Sequence, residues 1–313
     1  MIDLQGILVP LLTPFSADQA GVDENALADL IEFVVGAGTH GVIANASTSE
    51  VFHLSEAERY REAEFVVEHV RGRVPVLVGA GAPGTGAAIS FAKHAERIGA
   101  AGLLVIPPYY APLSKDAILR HYVALSDAVS LPIMLYNNPE VCGTLLTPDD
   151  IVRFVNEANV PWVKLTTKHV EFVHGLLYRL GDRVRIFEGV DSLAFPSMVC
   201  GAHGWVAGPA NAIPDLAVEL WKAVRVAKDL EAGYALQQRM APLLDYMDEA
   251  GVYSASIKEV CRLRGHPMGA VRSPYEELTG QQIIEVRTLF ERTGVAVTQR
   301  TVAGPIAHSG SAT

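Results

Sequence analysis

The stretch from 132 to 164 opens on Pro132-Ile133-Met134-Leu135-Tyr136, continues through 147–158 at helical spacing, and closes on Val160-Pro161-Trp162-Val163-Lys164. Both apolar runs are too short for helices and too continuous for half-exposed strands, so they read as parallel strands covered on both faces. The segment between them carries Pro148 at a first-turn position, where proline's missing N–H has no intrahelical partner to lose. A full βαβ unit is written out in this stretch.

The same alternation recurs along the chain. Strand-like runs lie at 6–12, 41–44, 75–79, 102–106, 132–136, 160–164, 184–188 and 204–207. Helical stretches lie at 23–37, 55–70, 114–129, 147–158 and 213–227, and the second opens Ser55-Glu56-Ala57-Glu58, a capping-box start. Eight βα units in series predict an α/β fold, a closed (β/α)8 TIM barrel with a C-terminal helical extension. An open doubly wound sheet is the alternative that unit counting leaves. The barrel is expected over residues 1–227. Three helices, at 230–249, 253–264 and 279–293, form a helical region (228–295) expected to pack on the barrel's side, and residues 296–313 read as a flexible tail.

Composition narrows the function classes. Half of the 313 residues are hydrophobic and 19% are charged, an ordinary globular balance. A formal charge of −10 argues against a nucleic-acid partner, which needs clustered Lys and Arg. It leaves an anionic substrate open, since backbone N–H groups bind carboxylates whatever the net charge. Cys142, Cys200 and Cys261 have no CxxC spacing, so a reducing compartment is the simpler reading. No leader-like or membrane-length apolar run is apparent, so a cytoplasmic protein without a membrane partner is expected.

In a barrel of this kind, catalytic groups sit at the C-terminal ends of strands. Among seven lysines, Lys164 directly closes an apolar strand run. A lysine in a dry barrel mouth is expected to lose solvation of its charged form and become a nucleophile. A lysine snorkelling out to solvent is the bland reading, and position alone leaves both open. Tyr136 ends the neighbouring strand and could relay protons, or simply pack. Ser47, Thr48 and Tyr110 offer hydroxyls nearby, although such residues in loops are usually turn formers. Glu50 reads as a cap, and Lys168 as a solvated charge. Gly79-Ala80-Gly81-Ala82-Pro83-Gly84 matches GxGxxG but follows the third strand and lacks the later acidic strand end, so no dinucleotide is expected. Scattered histidines give no metal-ligand cluster.

Lys164, Tyr136 and the pair Ser47-Thr48, in this order and on these strands, resemble the dihydrodipicolinate synthase/N-acetylneuraminate lyase family. The resemblance covers roughly residues 4 to 295. Gly6-Ile7-Leu8-Val9-Pro10-Leu11-Leu12-Thr13-Pro14-Phe15 is similar to that family's opening strand, and Pro108-Tyr109-Tyr110-Ala111-Pro112 to its strand-four loop. Gly201-Ala202-His203-Gly204-Trp205-Val206-Ala207-Gly208-Pro209-Ala210-Asn211 is similar to its strand-eight segment. The resemblance implies a class I Schiff-base mechanism, with a covalent imine on Lys164 and no metal or organic cofactor. It implies that Tyr136 shuttles protons, linked through Ser47 to Tyr110 of a neighbouring subunit. It also implies that the backbone around Ser47 and Thr48 binds the oxo-acid carboxylate, that Gly189 and Val206 line the pocket, and that the chain forms a tetramer built from two tight dimers, at the least a dimer.

Some positions depart from the family pattern. Its strand-two loop usually reads Gly-Thr-Thr-Gly-Glu, against Ala46-Ser47-Thr48-Ser49-Glu50 here, so the loop backbone and pocket width are expected to differ. Dihydrodipicolinate synthases carry an arginine shortly after the strand-five tyrosine to hold the second substrate's carboxylate. Val141 stands at that position, and valine removes the bidentate cation. Leu165 stands where a polar residue is common. Selectivity is expected at Val141, Cys142, Thr166 and Thr167. The reading is a lyase or aldolase that makes or breaks a carbon–carbon bond of pyruvate or a pyruvate-derived 2-oxo acid, with an apolar or neutral second substrate. A Schiff-base dehydratase, hydratase-aldolase or cyclic-imine deaminase stays open, as does authentic dihydrodipicolinate synthase. A non-catalytic 2-oxo-acid sensor belongs to a different class, and the Lys164–Tyr136 pair argues against it.

Overall fold

The computed structural model describes residues 2–298. Eight parallel strands close in chain order into a barrel: β1 Gly6–Pro10, β2 Gly41–Ala44, β3 Val76–Gly79, β4 Gly102–Val105, β5 Ile133–Asn137, β6 Trp162–Leu165, β7 Arg185–Glu188 and β8 Gly204–Val206. β8 pairs back onto β1, with Ile7 opposite Trp205, so the closed barrel holds and the open sheet does not.

The strands alternate with period two between the barrel interior and the surrounding helices. Leu8, Ile43, Leu77, Leu104, Met134, Trp162 and Phe187 fill the interior. Ile7, Val9 and Val42 pack outward in one helix-facing cluster, and Val105, Leu135, Val163 and Ile186 in a second. On β6 the order is Trp162 in, Val163 out, Lys164 in, Leu165 out. This parity is what delivers Lys164 to the interior.

Helix starts follow the local chemistry. Ser55 accepts the Glu58 N–H while the Glu58 carboxylate accepts the Ser55 N–H, opening helix Glu56–Val70. Thr147 and Asp150 do the same for helix Pro148–Glu157. Three barrel helices lie outside the stretches read by spacing, Thr85–Arg97, Glu171–Leu180 and Ala194–Val199. The first buries only Ala88, Ala92, His94 and Ala95, so its inner face is too weakly apolar to mark a stripe. The GxGxxG segment is a packing device: a Cβ on Gly79 would sit 1.9 Å from the Asn45 carbonyl oxygen.

The C-terminal region forms helices Leu230–Glu249, Tyr253–Leu263 and Gly280–Arg292. Met240, Leu243 and Leu244 of the first pack in one cluster with Leu216 and Leu220 of the helix after β8, and the turn joining the first two also reaches the C-terminal end of the barrel, where Met247, Asp248, Val252 and Tyr253 line a cavity. A buried ion pair anchors this region: Lys258 Nζ lies 2.7 Å from Glu50 Oε1, and the Arg272 N–H donates to Glu50 Oε2 at 2.8 Å. Of the expected tail, the Thr298 N–H donates to the Leu263 carbonyl at 2.8 Å, and residues 299–313 lie outside the described residues. No helix among the described residues is long and apolar enough to cross a membrane.

Candidate active site

A cavity of about 360 Å³ opens at the C-terminal end of the barrel, bounded by the β-strand ends and the 247–255 turn. Its floor is built from β5 and β6. Tyr136 and Lys164 are direct register partners on these strands and both are buried. Lys164 Nζ lies 4.0 Å from the centroid of the Tyr136 ring.

The environment of Tyr136 eases loss of its proton. Burial pushes the phenol up, but the Lys164 charge and the nearby Asn138, Thr166 and Lys164 side chains outweigh it, and the phenol lies below its ordinary value. Asn138 Nδ2 donates to the Tyr136 hydroxyl at 3.0 Å. Such a phenol can give up and regain a proton beside an amine.

The β2 loop enters from the opposite side. Ser47–Ser49 forms a 3₁₀ turn in which the Ser49 hydroxyl accepts the Ala46 N–H at 3.0 Å and donates to the Leu11 carbonyl at 2.6 Å. The positive φ angles fall on Asn45 and Glu50, so Ala46 and Ser49 replace the two glycines without backbone strain. Ser47 and Thr48 face the cavity.

β7 and β8 close the remaining wall with Gly189 and Val206. A Cβ on Gly189 would meet Thr166 Oγ1 at 2.1 Å and Lys164 Cε at 2.5 Å, so only glycine leaves the lysine its room. Behind Gly189, Glu188 Oε1 accepts the N–H groups of Gly189 and Val190 at 2.8 and 2.7 Å, and Ser197 donates to its other oxygen. Burial raises the Glu188 carboxyl to about 7 against the pull of those donors and of Lys164. Asp191, fully buried, accepts from Trp205 Nε1 at 2.9 Å and from the Tyr253 hydroxyl at 2.6 Å.

The structure thus brings Lys164, Tyr136, Ser47, Thr48, Val141, Thr166, Gly189 and Val206 to one cavity. Thr167 is not among its lining residues: strand parity turns it away from Lys164 and Thr166, and its hydroxyl accepts the His169 N–H at 3.3 Å. Cys142 is likewise off the wall, buried, its thiol donating to the Thr144 carbonyl at 3.3 Å. Within one chain Tyr110 is 92% exposed and does not line the cavity. Among the described residues no group of three or more His, Cys, Asp or Glu could hold a metal ion.

Sequence reading passed over Asn138, Asp191 and Tyr253. Asn138 carried a signal, since it follows the strand-five tyrosine at the same parity. Tyr253 carried none, because only the fold brings a C-terminal residue to this mouth.

A family model described as the dihydrodipicolinate synthetase family matches residues 3–293. The 4-hydroxy-tetrahydrodipicolinate synthase of Geotalea uraniireducens is 32% identical over 293 residues, covering 93% of this chain and 99% of its own. Among solved structures, the dihydrodipicolinate synthase from Aquifex aeolicus superposes with a TM-score of 0.88 at 27% identity, covering 94% of this chain and 99% of that one. YagE, a prophage protein of the dihydrodipicolinic acid synthase family from E. coli K12 solved in complex with pyruvate, gives a TM-score of 0.88 at 29% identity with the same coverage. The chain belongs to the dihydrodipicolinate synthetase family and is a Schiff-base-forming lyase of the class I aldolase type.

Proposed function

We propose that Lys164 forms an imine with pyruvate or a pyruvate-derived 2-oxo acid, and that the enzyme makes or breaks a carbon–carbon bond to a second substrate without a carboxylate at its far end. The observation that carries this reading is the pairing of Lys164 with Tyr136 at one register level inside a cavity.

In this reading the Lys164 amine attacks C2 of the oxo acid, water leaves, and an iminium forms. The iminium accepts the electron pair when a C3 proton departs to the Tyr136 phenolate, giving an enamine. The enamine carbon adds to the carbonyl carbon of the second substrate, Tyr136 returns its proton to the new alkoxide, and water releases the product and the amine. The cleavage direction runs the same steps in reverse. Ser47 and Thr48 hold the oxo-acid carboxylate, Gly189, Val206 and Thr166 shape its pocket, and no cofactor is required.

Val141 supports a second substrate other than that of dihydrodipicolinate synthases, because it lines the cavity where an arginine clamp is absent. Exposed Tyr110 fits a residue offered to the cavity of another protomer, through Ser47, which makes the working form at least a dimer, and a tetramer built as a dimer of dimers by family likeness. We place the enzyme in the cytoplasm. Reduction with borohydride in the presence of pyruvate tests the reading: a reduced pyruvyl adduct mapped to Lys164 is expected, and an unmodified lysine overturns it.

A further inference from the structure

Beside the Ser47–Ser49 turn lies a buried hydroxyl with more short contacts than it has hydrogens. Thr13 Oγ1 stands 2.7 Å from the Ser49 carbonyl oxygen and 2.6 Å from Oε2 of Glu62, a residue of helix Glu56–Val70. Thr13 and Ser49 are fully buried and Glu62 is 2% exposed, so all three are withdrawn from bulk water.

Both separations are those of O–H···O hydrogen bonds, and each bond needs a hydrogen of its own. The Thr13 hydroxyl has one, and the Ser49 carbonyl has none to give. The second hydrogen therefore belongs to the Glu62 carboxyl. This fixes the direction of the chain: Glu62 Oε2 donates to Thr13, and Thr13 donates to the Ser49 carbonyl. The other carboxyl oxygen, Oε1, accepts the Asn45 N–H at 3.4 Å. Burial acts in the same sense and raises the Glu62 carboxyl to about 7. The charged groups around it are engaged elsewhere. Glu58, on the same helix, opposes ionisation and pairs with Arg272. Lys258, from the C-terminal helices, favours ionisation, but its nitrogen is held 2.7 Å from Glu50. Glu24 and Arg61 share a surface cavity with Glu62 and pair with each other.

The chain ends on the backbone of a turn that faces the catalytic cavity. Ser49 ties that turn to the segment after β1 twice, through its hydroxyl to the Leu11 carbonyl and through its own carbonyl to Thr13. Ser47 and Thr48, in the same turn, line the cavity. A carboxylate attracts a hydroxyl hydrogen more strongly than a neutral carbonyl does. Once ionised, Glu62 draws the Thr13 hydrogen to itself, and the Ser49 carbonyl loses a donor in a buried place, which favours a shift of the turn.

We propose that Glu62, in its protonated form, is a positioning residue for the oxo-acid carboxylate, acting through the Thr13 hydroxyl to hold the turn that presents Ser47 and Thr48. This rests on the reading that the turn binds that carboxylate. The hold is complete at acidic pH and weakens as pH rises through about 7.

The test uses the full-length chain and isolates imine formation. The initial rate at which cyanoborohydride traps the Lys164 adduct is followed by intact-protein mass at pH 6 and 8.5, and the half-saturating concentrations of pyruvate and pyruvamide are compared. Pyruvamide keeps the oxo group without the carboxylate charge, so titration of Lys164 or Tyr136 moves both compounds and a change in the turn moves pyruvate more. For the unmodified chain the pyruvate value should rise about fivefold or more between the two pH values, with a much smaller rise for pyruvamide. Glu62→Gln keeps a donor for Thr13 and cannot ionise, so it should hold the low value at both. Thr13→Val, close in shape, should show the high value at both. An undiminished rise in Glu62→Gln overturns the proposal, as does Thr13→Val binding pyruvate as well as the unmodified chain at pH 6. Equal losses for pyruvate and pyruvamide in Thr13→Val overturn it too, because they reduce the chain to a structural role. The pH series of the unmodified chain stands whichever variants fold. If the adduct is trapped but the pyruvate value is flat with pH, this proposal fails alone. If neither compound gives an adduct, the imine reading fails and takes the proposal with it.

Discussion

Lys164 and Tyr136 share one register level on β6 and β5, and the lysine nitrogen stands 4.0 Å from the tyrosine ring centroid. The backbone positions of the two residues are fixed by strand pairing rather than by a flexible loop, so both side chains start from set points on the barrel wall. That makes the pair a pre-organised nucleophile and proton carrier. Its closest supports, Asn138, Thr166 and Gly189, belong to the next residues of the same strands or of β7's end.

Lys164→Ala is expected to remove detectable turnover with pyruvate and to leave no borohydride-trapped adduct. Tyr136→Phe should still trap the adduct while turnover falls by about 10²–10⁴-fold, the usual worth of a positioned proton carrier. Steady-state assays with intact-protein mass measurement read both. A Tyr136→Phe variant within a fewfold of the unmodified rate would remove Tyr136 from the chemistry.

Gly189→Ala is expected to impair the site without unfolding the barrel. The added methyl would lie 2.5 Å from Lys164 Cε and 2.1 Å from Thr166 Oγ1, so the lysine must move off its position over Tyr136. A misplacement of this order can lower the rate about a hundredfold. Circular dichroism should stay native while kcat drops. Full activity would mean that Lys164 has more freedom than its packing implies.

Much of this arrangement is legible in the amino-acid order. The run ending at Lys164 fixes the strand and its parity together, because Trp162, Lys164 and Thr166 must share a face if Val163 and Leu165 pack on helices. The same parity places Thr167 off the cavity, a step that reading the strand end as a single block of candidates missed. Asn138 follows Tyr136 by two and could have been found by the same rule. Tyr253 and Lys258 could not. Their partners, Asp191 and Glu50, are distant in sequence, and no local period encodes a contact that exists only after the C-terminal helices cross the mouth. Glu50 illustrates the point: it reads as a cap in sequence, yet it is fully buried and paired.

Lys258→Met should destabilise the chain by about 3–5 kcal/mol, the usual effect of stranding one member of a buried ion pair. Glu50 is fully buried, and without Lys258 only the Arg272 N–H would remain among its described polar donors at hydrogen-bond distance. Adding Glu50→Gln to Lys258→Met should recover part of the loss, since a neutral amide is less costly to bury unpaired than a carboxylate. Chemical denaturation of the single and double variants measures this. A single variant as stable as the unmodified chain would show that the pair does not anchor the C-terminal helices.

Glu188 predicts a pH dependence of stability whose sign is set by its position behind Gly189. Burial raises its carboxyl from 4.5 to about 7, so the folded chain keeps a proton that the unfolded chain releases. The stabilisation from this group is complete below about 4.5 and is lost as pH rises through about 7. Glu62 is raised to about 7 by burial and acts in the same direction, whereas His121 and His203, lowered to about 4, act in the opposite one. A difference against a Glu188 variant therefore isolates the group. Glu188→Gln can still accept the Gly189 and Val190 N–H groups and cannot ionise, so its stability relative to the unmodified chain should rise between pH 5 and 8, by an amount on the order of 3 kcal/mol. Urea denaturation at the two pH values gives the comparison. An unchanged difference would mean that Glu188 is already ionised in the folded chain at pH 5, and that its hydrogen bonds outweigh its burial.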